Sequence, residues 1–267
     1  MTASASAPSF ERLHSVDILR GLVIVIMALD HVRDYLHVSG YGMNPLDPAQ
    51  TTPLLYATRW VTNFCAPVFV FLSGVSAWLQ LARGKTKGEL ARHLVSRGLW
   101  LIVLELTLIS FAWAWTVPYM LFLQVIWVIG LSMILLAGLV FLPRQVTLLL
   151  GIAIIVGHNA LTSFAPAMPV LFTVAPIPDW LFVAYPLIPW FGVMCLGYGL
   201  GWLFTTDAGR DRIVPLIGLG MIVLFVLLRA SRLYGDPMPW MEHADFGATV
   251  MDFLDVAPET FDRVIGV

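Results

Sequence analysis

Residues 15–37 read SVDILRGLVIVIMALDHVRDYLH, an apolar run with charged residues at both ends. Asp17 and Arg20 precede the run, and Asp30, Arg33 and Asp34 follow it. A helix rises about 1.5 Å per residue, so this stretch is long enough to cross an apolar layer of about 30 Å. We therefore predict a membrane-spanning helix with one polar cluster at each end.

The charged residues after the apolar run share one helix face, because Asp30, Arg33, Asp34 and His37 are spaced i, i+3, i+4, i+7. Ionisable groups at membrane depth are rare unless they are paired or used. Two interpretations stay open: mutually paired helix-end charges at the lipid headgroups, or a functional site.

Composition places the chain among integral membrane proteins. Of its 267 residues, 59% are hydrophobic and 12% are charged, about half the charged fraction of soluble domains. A formal net charge of -2 argues against a nucleic-acid partner. The two cysteines, Cys65 and Cys195, lie in apolar segments without metal-ligand spacing, so no metal site is predicted.

The apolar runs predict an all-α polytopic transmembrane helix bundle of about seven spans. We expect a cytoplasmic N-terminal tail at 1–14, a transmembrane domain at 15–235 and a polar, non-spanning C-terminal tail at 236–267. Pro67 predicts a short leading helix and a kink in the second segment. The predicted helices are 15–37, 54–82, 90–113, 118–141, 145–162, 181–204 and 212–232.

Basic residues orient the bundle. The loops after the second, fourth and sixth helices contain Arg83, Lys85, Lys87, Arg92, Arg144, Arg210 and Arg212, whereas those after the third and fifth contain none. The positive-inside rule therefore predicts a cytoplasmic N-terminus. In that orientation, polar side chains from several helices lie near the non-cytoplasmic face: Asp30, His31, Arg33, Asp34, Arg59, Glu105, Gln124, His158 and Asn159.

This non-cytoplasmic cluster offers acid–base chemistry: an imidazole beside carboxylates, with arginines for anionic groups. Glu105 lies in an apolar run, where a carboxylate needs a partner or a task. A lone His158 is more often a packing residue than a ligand. As substrate-binding candidates we take Arg33, Asp34, Arg59, Gln124, His158 and Asn159.

A second, basic cluster lies at the cytoplasmic ends of the helices. It contains Arg20, Arg83, Lys85, Lys87 and Arg97, which are candidates for binding a phosphate-bearing cofactor. The alternative is topology alone, because cytoplasmic loops are basic in most membrane proteins. The sequence has no glycine-rich phosphate loop to decide between them.

Several segments together resemble a known family: RLHSVDILRGLVIVIMALDHVRDYLH, TRWVTNFCAPVFVFLSGVSAWL, SRGLWLIVLELTLISFAW, QVIWVIGLSMILL and GHN. Over about residues 12–205 the chain is similar to bacterial members of the heparan-alpha-glucosaminide N-acetyltransferase catalytic-domain family, which is part of the wider transmembrane acyltransferases. The resemblance implies acetyl transfer from cytosolic acetyl-CoA to an amino or hydroxyl group of a sugar or glycan across the bacterial inner membrane. The lipid bilayer is the other implied partner, and a homo-oligomer stays open.

In the lysosomal branch of that family, a histidine near the non-cytoplasmic face is catalytic. Here His31 occupies the position of an asparagine in that branch, and His37 is the next histidine, so both are candidates for the general base. Asp30 or Glu105 is expected to orient the ring. Family members usually continue through further helices, so we expect this chain to be shortened at its C-terminus.

Two other function classes stay open. A small-molecule or proton-coupled transporter would also use intramembrane Asp, Glu and His, although no internal repeat is visible. A truncated, non-catalytic membrane protein is the second alternative.

Overall fold

The computed structural model describes residues 13–36, 45–47, 49–115, 120–160, 169–172, 175–177, 180–232 and 240–255. The described chain is mostly helical, as predicted. The first helices are α1 (His14–Leu36), α2 (Pro53–Thr62), α3 (Cys65–Ala82) and α4 (Lys87–Leu104). A π-helical turn, Glu105–Ile109, continues α4 into α5 (Ser110–Ala114). Then come β1 (Leu121–Leu123), α6 (Val125–Leu139), α7 (Arg144–Gly157), α8 (Pro169–Phe172), β2 (Ala175–Ile177), β3 (Leu181–Val183), α9 (Leu187–Leu200), α10 (Val214–Ser231) and α11 (Phe246–Leu254).

Four helical stretches in the described chain are long and apolar enough to cross a membrane: Pro53–Ala82, Lys87–Trp113, Leu187–Thr205 and Gly209–Ser231. Two shorter apolar helices are Val125–Leu139 and Arg144–Ala160. On α10 the apolar side chains point outward and Arg229 is the buried residue, which suits a lipid-facing helix. The protein is therefore an integral membrane protein, whereas the count of seven spans stays a prediction.

The break in the second predicted segment is confirmed. Helix α2 ends at Thr62, and α3 begins at Cys65 after a turn at Asn63 and Phe64. Pro67 lies in the first turn of α3, where its missing N–H leaves no helical hydrogen bond unmade. The proline thus favours a new helix start just before it.

Two predicted helix starts were wrong, because short strands precede the helices. Helix α6 begins at Val125 instead of 118, and α9 begins at Leu187 instead of 181. The strands form a small sheet in the order β1-β3-β2, with β1 parallel and β2 antiparallel to β3. A three-residue apolar strand cannot be told from the start of a buried helix by hydrophobicity alone.

Glycines let the central helices approach closely. A Cβ on Gly74 of α3 would lie 2.1 Å from the carbonyl oxygen of Met194, and one on Gly197 of α9 would lie 2.1 Å from that of Phe71. Helices α4 and α6 meet in the same way at Gly98 and Gly130. Small residues of this kind are typical of packed helix interfaces in membranes.

Helix α1 runs antiparallel to α2 and α3, and side chains near both of its ends hold it there. The guanidinium of Arg20 donates to the carbonyl oxygen of Leu72, at 3.1 Å, and to the hydroxyl of Ser76. At the other end, Asp30 binds side chains of α2. The Asp30 end of α1 therefore lies beside the break between α2 and α3.

Candidate functional site

The carboxylate of Asp30 is the centre of a polar network, here called the Asp30 network. Arg33, one turn further along α1, donates to Oδ1 at 2.5 Å. From α2, Arg59 Nη1 lies 3.3 Å from Oδ1 and 3.4 Å from Oδ2, and the Thr62 hydroxyl donates to Oδ1 at 2.6 Å. Asp30, Arg33 and Arg59 were all predicted for this site, and the structure brings them together.

The Asp30 network is largely shielded from solvent. The side chains of Asp30, Arg33 and Arg59 are 19%, 10% and 15% exposed. Two guanidinium groups bind one carboxylate among the residues that the structure describes. Arginines in a shielded site suit the anionic or electron-rich groups of a ligand.

His31 follows Asp30 in α1, and one of its ring nitrogens is unsatisfied among the described residues. Its ring meets Trp113 edge-on, with centroids 5.7 Å apart. Nδ1 is buried and has no hydrogen-bond partner among the residues that the structure describes. Buried polar atoms are nearly always paired, so an unpaired imidazole nitrogen is a candidate for binding substrate or exchanging a proton.

An aromatic cluster links His31 to the small sheet. Trp113 lies 5.0 Å from Tyr35 and 6.5 Å from Phe122 of β1, measured between ring centroids. Phe122 in turn lies 5.8 Å from Phe182 of β3. The sheet that the sequence did not predict thus supports the surroundings of His31.

Glu105 is fully buried, and its hydrogen bonds go to backbone amides. The N–H of Gln124 lies 3.4 Å from Oε1, and the N–H of Trp127 lies 3.1 Å from Oε2. These amides are at the N-terminus of α6, where helical N–H groups lack helical partners and the helix dipole favours a negative charge. Glu105 therefore caps α6, whereas the sequence suggested that it orients a histidine ring.

A π-helical turn adjoins this capping arrangement. It begins at Glu105, and the hydroxyl of Ser110 donates to the Glu105 carbonyl at 2.8 Å. The same hydroxyl accepts from the N–H of Phe122 in β1 at 3.1 Å. π-helical turns are rare and often lie at functional sites. Here the turn ties α4, β1 and α6 together.

Two further residues near the Asp30 network were missed in the sequence. Tyr185 lies within electrostatic range of Arg59 and Asp30, and its carbonyl accepts from the indole N–H of Trp127 at 3.1 Å. Cys65 is buried at the start of α3 and also lies within electrostatic range of Asp30. No spacing pattern in the sequence singles out either residue.

The remaining predicted residues lie in other surroundings. Gln124 is at the N-cap position of α6. His158 is at the C-cap position of α7, and its Nδ1 lies 2.8 Å from the carbonyl oxygen of Ile155. Asn159 follows in the short 3-10 turn after α7. His37 and the side chain of Asp34 lie outside the described residues. In the described part of the chain, no group of three or more His, Cys, Asp or Glu residues could hold a metal ion.

The basic cluster lies towards the other end of α1 and divides into bound and open side chains. Arg20 binds α3, and Lys85 and Lys87 donate to Gln80 Oε1 at 2.7 Å and to the carbonyl of Phe141 at 3.1 Å. Arg97 is exposed. An open depression of about 450 Å³ is lined by Arg83, Gly84, Lys85, Glu89 and Arg92. The cationic side chains among them, Arg83, Lys85 and Arg92, could hold phosphate groups.

Comparison with protein families defines the class. Residues 12–232 match the family described as heparan-alpha-glucosaminide N-acetyltransferase, catalytic. The chain belongs to this family. The resemblance seen in the sequence is thereby confirmed, and family membership together with the apolar helices identifies a membrane acetyltransferase-like protein. Comparisons with curated proteins and with solved structures gave no match.

The matched residues contain the Asp30 network, His31, Glu105 and the basic depression. The segment 240–255 follows the matched residues, and α11 lies in it. The family model therefore covers the candidate site and leaves α11 outside.

Proposed function

We propose that the protein is a membrane-embedded acetyltransferase. It moves the acetyl group of cytosolic acetyl-CoA to an amino or hydroxyl group of a sugar on the non-cytoplasmic side of the bacterial cytoplasmic membrane. Family membership supports the reaction class. The observation that carries the site is the shielded Asp30 network, followed in the chain by His31, whose buried Nδ1 has no partner among the described residues.

The acceptor end of the proposed site is the Asp30 network. Arg33 and Arg59 would bind hydroxyl or anionic groups of the sugar, with Asp34 as a further candidate from the same helix. Gln124, His158 and Asn159 are kept as secondary candidates, because the contacts described for Gln124 and His158 are with other groups.

His31 is the proposed general base. The acceptor nitrogen or oxygen attacks the thioester carbonyl carbon, and its proton passes to the imidazole. The carbon–sulfur bond then breaks, and the proton is returned to the departing coenzyme A thiolate. General-base assistance of this kind typically contributes about 10²–10⁴-fold in rate. His37 is the rival base.

Asp30 and Glu105, the two carboxylates predicted to orient the His31 ring, have no described hydrogen bond to that ring. Asp30 binds Arg33, Arg59 and Thr62, and Glu105 binds the amides of α6. We propose that Asp30 influences His31, the next residue in the chain, through the negative charge of its carboxylate. We propose that Glu105 holds α6 in place.

The donor end of the proposed site is the basic depression. Arg83, Lys85 and Arg92 line it and would bind the phosphates of acetyl-CoA, with Lys87 and Arg97 nearby in the chain. Arg20 already binds α3, so its proposed role is to hold α1 in position instead of contacting phosphate. Coenzyme A supplies the activated acetyl group, and the chain's own residues position it.

The decisive experiment incubates purified protein with labelled acetyl-CoA and a panel of amino sugars. We expect label on a sugar, a large loss of transfer in His31→Ala, and near-normal transfer in His93→Ala as a matched control on α4. Loss confined to His37→Ala moves the base to that residue. Substrate uptake into vesicles without thioester cleavage would support a transporter and overturn the proposal.

A further inference from the structure

The segment 240–255, predicted as a plain polar tail, contains a helix that docks on the rest of the protein. Helix α11 is nine residues long, and the Asp245 side chain caps its start by accepting from the N–H of Ala248 at 2.8 Å. Its other end is bound by side chains from α2 and α10. Tyr56 Oη donates to the carbonyl of Met251 at 2.7 Å, and the Trp60 indole donates to that of Leu254 at 3.2 Å.

Arg229 is the main anchor of α11. It is only 6% exposed, and its guanidinium donates to three carbonyl groups, those of Asp252, Phe253 and Asp255, at 2.8, 2.9 and 2.5 Å. The last carbonyls of a helix lack helical partners and carry partial negative charge. The planar fork of an arginine fits several such acceptors at once.

Trp240 covers this anchor. Its indole donates to the carbonyl of Arg229 at 3.1 Å, and its ring lies 4.3 Å from the guanidinium of Arg232 and 5.4 Å from the ring of Phe253. The hydrogen bond of His243 to Asp252, at 2.8 Å, closes the loop that leads into α11. The segment is thus held on α10 by contacts at both of its ends.

Helix α2 lies between α11 and the Asp30 network. Tyr56 and Trp60 are one turn apart and contact α11, while Arg59 and Thr62 contact Asp30. Helix α2 has ten residues and is separated from α3 by a turn. Isolated helices of that length are marginal in stability, so the position of α2 depends on its neighbours.

We propose that α11 positions α2 and thereby sets Arg59 and Thr62 around Asp30. Tyr56, Trp60 and Arg229 are positioning residues in this arrangement. The predicted effect on turnover rests on the proposed function, whereas the coupling of α11 to α2 does not.

The first test measures hydrogen–deuterium exchange in the full chain in lipid nanodiscs. In Arg229→Ala we expect the amides of α11 and of α2 to exchange at least about tenfold faster, because bonds to a charged donor are lost. Arg229→Lys should restore protection in part, since it keeps the charge without the fork. The amides of α6 serve as an internal control, and Arg212→Ala, near the other end of the same apolar stretch, should leave both helices unchanged.

Faster exchange in α11 with unchanged exchange in α2 would overturn the proposal, because α11 would then have no effect on the position of α2. Unchanged exchange in both would also overturn it. If Arg229→Ala fails to fold, Tyr56→Phe removes one hydrogen bond, and about two- to tenfold faster exchange in both helices is expected.

The second test measures acetyl transfer in the same variants. We expect Arg229→Ala to raise the acceptor KM and lower kcat while the donor KM is unchanged, with partial rescue in Arg229→Lys. Faster exchange in α2 with unchanged acceptor KM and kcat would overturn the positioning role. If the wild-type protein transfers no acetyl group, the proposed function fails, and the exchange experiment still decides the coupling.

Discussion

Replacing Glu105 with glutamine separates a structural role from a catalytic one. The Glu105 carboxylate accepts from the amides of Gln124 and Trp127, and it is fully buried. In Glu105→Gln one oxygen still accepts, but the new NH₂ group faces a backbone N–H. The variant loses a charge-assisted hydrogen bond, and a buried N–H is left unpaired, at about 1–3 kcal/mol. Loss of the charge at the helix N-terminus adds about 0.3–2 kcal/mol.

We therefore expect Glu105→Gln to lower the free energy of unfolding by about 3 kcal/mol, from these ranges taken together. For a chain of this size the apparent Tm should fall by about 6–12 °C. The assay is thermal unfolding in detergent, followed by acetyl transfer at a temperature where both proteins are folded. Glu89→Gln is the matched control for the Tm alone, because Glu89 is an exposed capping residue at the other end of the same helix and also lines the basic depression. An unchanged Tm with lost transfer would refute the capping argument and make Glu105 catalytic.

Three other predictions concern packing, topology and the acceptor end. Gly197→Ala would bring a methyl group 2.1 Å from a backbone carbonyl of α3 and should lower the free energy of unfolding by about 1–3 kcal/mol or more. Gly218 has open space around it, so Gly218→Ala should not lower the Tm. In vesicles of defined orientation, an impermeant thiol reagent should label Gln50→Cys from the non-cytoplasmic side and Lys85→Cys only from the other; the reverse pattern would invert the topology. Arg59→Ala should raise the acceptor KM about tenfold and leave the donor KM unchanged. Equal changes in the acceptor KM and the donor KM would contradict the assignment of Arg59 to the acceptor end of the site.

The parts of the fold that the sequence predicts depend on local patterns. The charged ends of α1 and the apolar run between them are visible in the amino-acid sequence, and so is the effect of Pro67 on the α2–α3 break. The grouping of Asp30, Arg33 and Arg59 follows from the same patterns. Arg33 is one turn from Asp30, and the antiparallel return of α2 brings Arg59 to the same level.

The parts that it misses depend on backbone groups far away in the chain. The partners of Glu105 are amides at the start of α6, and every residue except proline has such an amide. The partners of Arg229 are carbonyls of α11. Because backbone groups leave no signature in side-chain identity, neither contact could be predicted from spacing, although a buried charge did indicate that some partner exists.

The Asp30 network differs from the two other buried charged residues, Glu105 and Arg229, because the residue that follows Asp30 has a buried polar atom without a described partner. A buried ion pair is often no more stabilising than apolar residues of similar volume, so helix packing alone does not require the network to join α1 to α2. Arg229 and Glu105 satisfy backbone groups at helix ends that would otherwise lack partners, which is a sufficient structural reason for each. Next to Asp30 in the chain, by contrast, His31 Nδ1 is buried without a partner among the described residues. A bound acceptor hydroxyl or amine would supply that partner, and this difference is why we propose acid–base chemistry at His31 and structural roles at Glu105 and Arg229.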